Sequence, residues 1–329
     1  MIQKTVMILG VLGQDGSYLT EYLISLGYRV IGITRRHSSN ADSYGHLKHL
    51  RNHNQFELLH GDVVDPVFMN TVICKYYPDE LYHLAAQSHV RQSFDTPIDT
   101  FNTDAISTLY ILEAIRKFSP DTKLYFAASS ELFGGINCPE TGYTELSPFH
   151  PRSPYAVAKL ASYWTISNYR EAYNLFCCSG ILFNHESKRR GRDFVTKKVT
   201  NYVACRKLGE TKKLVMGNID ASRDWGHSID YIKAQHMMLQ NDKPVDYVVA
   251  MGETHTIRDL LALSFNIAGL GDWEDKVEFD PKLMRPSEVP YLLGNPTKIK
   301  VELGWVPTYT FESMIEEMVK HDIDELTRL

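Results

Sequence analysis

The sequence predicts an α/β fold, a doubly wound parallel sheet of Rossmann type with a smaller C-terminal lobe. Three observations carry this: a strand, glycine-turn, helix opening over residues 5–26, apolar runs alternating with helical periodicity as far as about residue 183, and a weakening of that alternation beyond it. With 329 residues the chain can bury a large core and a second, smaller one.

Thr5 to Leu9 reads as strand one, and the glycines Gly10, Gly13 and Gly16 follow as G-x-x-G-x-x-G before helical periodicity from Ser17 to Leu26. Missing side chains at such a turn permit a tight bend and let a pyrophosphate approach a helix N-terminus. The plainer reading is a glycine-rich turn with no ligand. Strand two, Arg29 to Ile33, leads into Thr34-Arg35-Arg36, where NAD-specific proteins place an acid for the adenosine ribose. Two guanidiniums stand there instead, suited to the 2′-phosphate of NADP; the alternative is a solvated surface pair.

Phe56 to Leu59 reads as strand three, ending at Asp62-Val63, with Asp62 placed to accept from an adenine amino group. Pro66 to Tyr76 predicts a helix, Leu81 to Ala86 strand four, Asp99 to Phe118 a long amphipathic helix and Leu124 to Ala128 strand five. Strand five runs into Ser129-Ser130-Glu131, polar side chains at the carboxyl edge of a sheet, where open α/β folds bind ligands. The next helix carries Tyr155 and Lys159, four residues apart and so on one face, and extends to Tyr173. A free tyrosine keeps its proton to about pH 10, and a nearby ammonium would lower that, making Tyr155 a candidate base. Phe176 to Phe183 reads as strand six, and the boundary is set near Asn184: residues 1–184 for the dinucleotide and catalytic groups, 185–329 for the substrate, the two interleaved.

Composition narrows the partners. A formal net charge of −5 leaves no basic excess for nucleic acid, and no polybasic segment suggests a membrane surface. The five cysteines lack zinc-type spacing and read as reduced thiols, with no metal site. No signal peptide is visible, and no apolar run approaches the about 20 residues that span a bilayer, so a cytoplasmic protein is expected.

Five blocks carry a closer resemblance: Gly-Gln-Asp-Gly-Ser-Tyr-Leu (13–19), Ala-Gln-Ser-His-Val (86–90), Ser-Pro-Tyr-Ala-Val-Ala-Lys (153–159), Gly-Ile-Leu-Phe-Asn-His-Glu-Ser (180–187) and Arg-Asp-Trp-Gly-His (223–227). With them the chain resembles the extended short-chain dehydrogenase/reductases and, among these, the GDP-mannose 4,6-dehydratase family. The resemblance implies catalysis by Ser129, Glu131, Tyr155 and Lys159, with Ser129 in place of the family's usual threonine. It implies that NADP touches Gly10, Gly13, Gln14, Asp15, Gly16, Arg35, Arg36, Asp62, Val63, Leu84, Ala86, Gln87, Ser88, Tyr155, Lys159, His185 and Arg190. For the nucleotide sugar it implies Ser88, Ser130, Glu131, Asn184, Val195, Lys198, Gly217, Asn218, Arg223, Arg285 and Glu288. Asp99 and Phe101 depart from the family pattern, which leaves the sugar preference near them open. The implied reaction is NADP-dependent dehydration of GDP-mannose to the 4-keto-6-deoxy sugar in a homo-oligomer, a dimer or tetramer. The competing readings are a dehydratase of a GDP-manno-heptose, a reductase or epimerase of the same superfamily, and a non-catalytic NADP-binding sensor.

Overall fold

The computed structural model describes residues 3–36 and 44–328. Strands β1 (Thr5–Leu9), β2 (Arg29–Thr34), β3 (Phe56–His60), β4 (Glu80–His83), β5 (Lys123–Ser129) and β6 (Cys177–Leu182) pair in parallel in the order β6-β5-β4-β1-β2-β3. A seventh strand, Tyr247–Val249, adds in parallel to the outer edge of β6. Alternate side chains feed two cores, which is why the strands read as continuous apolar runs. In β1, Met7 and Leu9 enter one core with Ile111, Leu112 and Ile115, while Val6 and Ile8 enter the other with Leu19, Leu23 and Ile232. Each such side chain contributes about 1.5–3 kcal/mol by leaving water.

The helices of the sheet are α1 (Gln14–Ser25), α2 (Pro66–Tyr76), α3 (Val90–Asp95), α4 (Pro97–Phe101), α5 (Ser107–Phe118) and α6 (Pro154–Tyr173). The span expected as one helix from Asp99 to Phe118 is divided. It holds the end of α4, a π-helical turn at Asn102–Ile106, and α5. Strand β4 is shorter than expected because its partner β1 turns away at Gly10, and the pairing ends at Leu9 and His83.

Beyond residue 184 the chain serves both bodies. The short strand β7 (Asn184–Glu186) and helix α7 (Val195–Lys207) lead into a lobe whose own core joins Val199 and Val203 to Phe265, Met314 and Met318. Helix α8 (Ser228–Gln240), however, packs on α1, and Trp305 sits in the sheet's second core with its indole N–H donating to Asp230 O at 2.9 Å. Cys177 and Cys178 are buried free thiols. Among the described residues no helix is long and apolar enough to cross a membrane.

Candidate active site

A cleft of about 640 Å³ opens at the carboxyl ends of the strands, floored by the glycine turn and walled by α6, β7 and the lobe. Gly10 adopts φ +84°, and a Cβ there would meet Ala85 N at 2.9 Å; one at Gly16 would meet Gly10 O at 2.4 Å. Only glycine fits either position. Gly13 begins α1 without any side-chain cap, so the first amides of the helix face the cleft, a built anion cradle. The turn therefore fits a dinucleotide pyrophosphate.

Gln14 and Asp15 line this floor, yet their side chains are committed to the protein. Gln14 Nε2 donates to His185 O at 3.0 Å, and Gln14 Oε1 accepts from Ser187 Oγ at 2.9 Å. Asp15 Oδ2 pairs with His185 Nε2 at 2.7 Å, and Asp15 Oδ1 accepts from Ser228 Oγ at 2.7 Å. Burial pushes the Asp15 carboxyl up, but the His185 charge and these hydrogen bonds outweigh it and hold the group down at about 2. Burial likewise disfavours charged His185, and Asp15 reverses that, so its imidazolium is retained above the usual histidine range.

The catalytic candidates converge from two elements. Strand β5 ends at Ser129, and a single 3-10 turn, Ser130–Phe133, projects Glu131 into the cleft. Phe133, stacked on Tyr143 at 4.4 Å between ring centroids, anchors this turn from beneath. Helix α6 starts at Pro154, capped by Ser153 Oγ accepting from Ala156 N at 3.1 Å, which places Tyr155 in the first turn and Lys159 one turn on. Ser129 lies between the two: its hydroxyl accepts from Glu131 N at 3.2 Å, and on its other side it favours the ionised form of the neighbouring Tyr155 phenol. Glu131 Oε1 accepts from Arg285 Nη1 at 3.1 Å, an ion pair that crosses from the lobe.

One expectation is corrected. Lys159 Nζ donates to Ala127 O at 3.0 Å and lies 4.8 Å from the Phe126 ring centroid. The Tyr155 phenol stands well above its ordinary value, first through burial and then through the Asp104 carboxylate. Local sequence pattern does not point to this acid. Asp104 lies in the π-helical turn, fully buried, with Oδ1 accepting from Gln87 N at 2.7 Å and burial raising its carboxyl to about 6. Its only signal was an acid on the apolar stripe with Thr108, Ile111 and Ile115, one that the change of helical period obscures.

A scan for families matches residues 7–318 to the model described as GDP-mannose 4,6 dehydratase. The chain belongs to the GDP-mannose 4,6-dehydratase family. It is 46% identical over 330 residues to GDP-mannose 4,6 dehydratase 1 of Arabidopsis thaliana, covering 98% of this chain and 90% of that one. Among solved structures, a dTDP-glucose 4,6-dehydratase from Bacillus anthracis in complex with NAD superimposes with a TM-score of 0.82 at 21% identity, over 97% of this chain and 96% of that one. RMD from Pseudomonas aeruginosa complexed with NADPH gives 0.80 at 22% identity, over 98% and 100%. These two share the fold.

Of the residues expected at the dinucleotide, Arg35, Asp62, Val63, Leu84, Ala86, Ser88, His185 and Arg190 line the cleft. Arg36 is exposed next to Arg35 without lining it, and Gln87 turns inward, its Nε2 donating to Thr100 Oγ1 at 3.1 Å. Of those expected at the nucleotide sugar, Ser88, Ser130, Glu131, Asn184, Val195 and Arg285 line it. Arg223 is buried, and Glu288 Oε1 accepts from Arg285 N at 2.7 Å behind the cleft wall. Lys198 donates to Val215 O at 2.7 Å beside a separate hollow, Gly217 packs on the Leu283 backbone, and Asn218 Oδ1 accepts from Asp220 N at 2.9 Å.

Proposed function

We propose that the chain dehydrates GDP-mannose to GDP-4-keto-6-deoxy-mannose with NADP as the resident cofactor. The observation that carries this reading is the meeting of Tyr155, Ser129 and Glu131 in one cleft of a chain that belongs to this family. The glycine turn and the α1 amides would hold the pyrophosphate, Asp62 and Val63 the adenine, and Arg35 with Arg36 the 2′-phosphate, the basis for NADP over NAD. Leu84, Ala86, Ser88, His185 and Arg190 would complete the cofactor site. When bound, the nicotinamide supplies the redox chemistry, removing a hydride from sugar carbon 4 and restoring it at carbon 6.

The chain's own groups move the protons. Tyr155 takes the carbon 4 hydroxyl proton once ionised; its phenolate would be favoured, against burial and Asp104, by the positive nicotinamide of bound NADP+, and Lys159, one turn along the same helix, adds a cationic end to this pocket. The ketone that results acidifies the carbon 5 proton, which Glu131 removes and delivers to the carbon 6 hydroxyl as it leaves as water. One water has then left, and carbon 5 still needs a proton. Tyr155 holds one, and the Ser129 hydroxyl, next to both Glu131 and the phenol, offers its way back. Asn184, Val195, Lys198, Gly217, Asn218, Arg223, Arg285 and Glu288 form the proposed grip on the nucleotide, the arginines serving the diphosphate.

Incubation of the purified protein with GDP-mannose should give a product lighter by one water on mass spectrometry. Turnover of a GDP-manno-heptose with GDP-mannose left intact would overturn the substrate assignment. A homo-oligomer is part of the same reading: Val157 and Trp164, 46% and 58% exposed, lie two turns apart on α6, which packs against α4 with its own exposed Ile98 and Phe101. Trp164→Glu should shift the sedimentation coefficient toward the monomer, and an unchanged value would count against this face.

A further inference from the structure

The proposed base of this site is held by a cation that the substrate also needs. Arg285 Nη1 donates to Glu131 Oε1 at 3.1 Å, and the two side chains are 28% and 10% exposed, so the pair is only partly screened by water. The loop bearing Arg285 is pinned from behind, with Arg285 N donating to Glu288 Oε1 at 2.7 Å and Arg152 Nε donating to Ser287 Oγ at 3.0 Å. Its backbone is thus fixed while its guanidinium borders the cleft. Arg223 lies alongside, within the field of Glu131, Arg285 and Glu288. It is 7% exposed, its Nη1 donates to Ser222 O at 2.9 Å, and among the described residues it has no carboxylate at ion-pair distance. A buried guanidinium that touches no carboxylate is costly, and the more distant charges of Glu131 and Glu288 offset only part of that.

These four residues balance: two cations, two anions. A diphosphate entering the cleft at Arg285, with Arg223 buried nearby, adds negative charge where one arginine has no carboxylate in contact and the other is occupied by the base. We propose that Arg285 is a shared positioning residue, clasping Glu131 in the free protein and passing to the diphosphate when the nucleotide sugar is seated, so that binding at the nucleotide end releases the base at the sugar end. This rests on the reading of the cleft as a GDP-sugar site. A sugar lacking the diphosphate leaves the clasp closed, and the carbon 5 proton is not taken. Discrimination against sugars and sugar monophosphates then acts on the chemical step as well as on binding.

The competition has a thermodynamic signature that needs no turnover. GDP carries the diphosphate without the hexose, so it does not touch Glu131 through the sugar. In cofactor-loaded protein, calorimetric GDP affinity should rise roughly three- to tenfold in Glu131→Gln, because Arg285 no longer has to leave a carboxylate. Arg285→Met should weaken GDP binding by about tenfold or more. In the Arg285→Met background, Glu131→Gln should change GDP affinity by less than about twofold, since the clasp is already gone. Arg285→Lys, which keeps the charge but loses the planar fork, should retain part of the Glu131→Gln gain and serves if the methionine variant does not fold.

An undiminished Glu131→Gln gain in Arg285→Met would mean simple repulsion between Glu131 and the diphosphate and would overturn the proposal. So would the absence of any gain in the single variant. If wild-type protein itself bound GDP no better than inorganic pyrophosphate, the GDP-sugar reading would fail first, an outcome visible before any variant is made.

Discussion

The hydroxyl of Ser129 accepts from the Glu131 amide and favours the ionised form of the Tyr155 phenol, so one small side chain bears on both proton-transfer groups. Ser129→Ala removes the bond to the Glu131 amide and the hydroxyl beside the phenol without changing the strand. The expected result is a fall in kcat of about 10- to 100-fold with KM nearly unchanged, because the loss falls on proton transfer and not on the nucleotide grip. Ser129→Thr keeps the hydroxyl and stiffens the rotamer, and should stay within about threefold of wild type. Steady-state kinetics on the two variants checks both. These residues were legible because their chemistry depends on type and spacing along one strand end and one helix. The state of the phenol was not, since it follows from burial and from Asp104, an acid some 50 positions away in sequence that only the π-helical turn brings close.

At the scale of elements, the turn carrying Glu131 closes on Gly134 at φ +67°, and a Cβ there would lie 1.9 Å from His150 O. Gly134→Ala must move that turn or the loop beneath it. A loss of about 2 kcal/mol or more in stability should accompany a drop in kcat, read by thermal melting and assay together. Helix α1 is joined to β7 and α8 through Asp15, whose carboxyl is held at about 2 against an ordinary 3.8, while His185 is raised from 6.5. The signs differ. The Asp15 contribution is present above about pH 3.8 and fades as pH falls toward 2; the His185 contribution is present below 6.5 and is lost as pH rises through its higher folded value. Asp15→Asn should therefore cost about 3 kcal/mol near pH 5 and distinctly less at pH 9. Melting curves from pH 3 to 9 decide it, and an equal cost at pH 5 and pH 9 would contradict the ion pair. The sequence placed Asp15 at the cofactor because its glycine context is that of a phosphate turn; its partners lie 170 and 213 positions downstream, beyond the reach of local pattern.

Over the whole molecule, the alternating apolar runs made the parallel sheet readable as far as β6, since each strand must bury both faces. The strand at Tyr247–Val249 escaped because three residues carry no period, and its place beside β6 is set by tertiary pairing. The cleft belongs to both bodies: Tyr155 and Glu131 come from the sheet, and Arg285 comes from the lobe. A single hexose should therefore be oxidised at carbon 4 and reduced at carbon 6 without leaving that cleft. GDP-mannose labelled with deuterium at carbon 4, turned over by protein loaded only with its own cofactor, tests this directly by nuclear magnetic resonance of the product. The label should be found on carbon 6 of a sugar that has lost one water; a label left at carbon 4, or washed out into solvent, would contradict it.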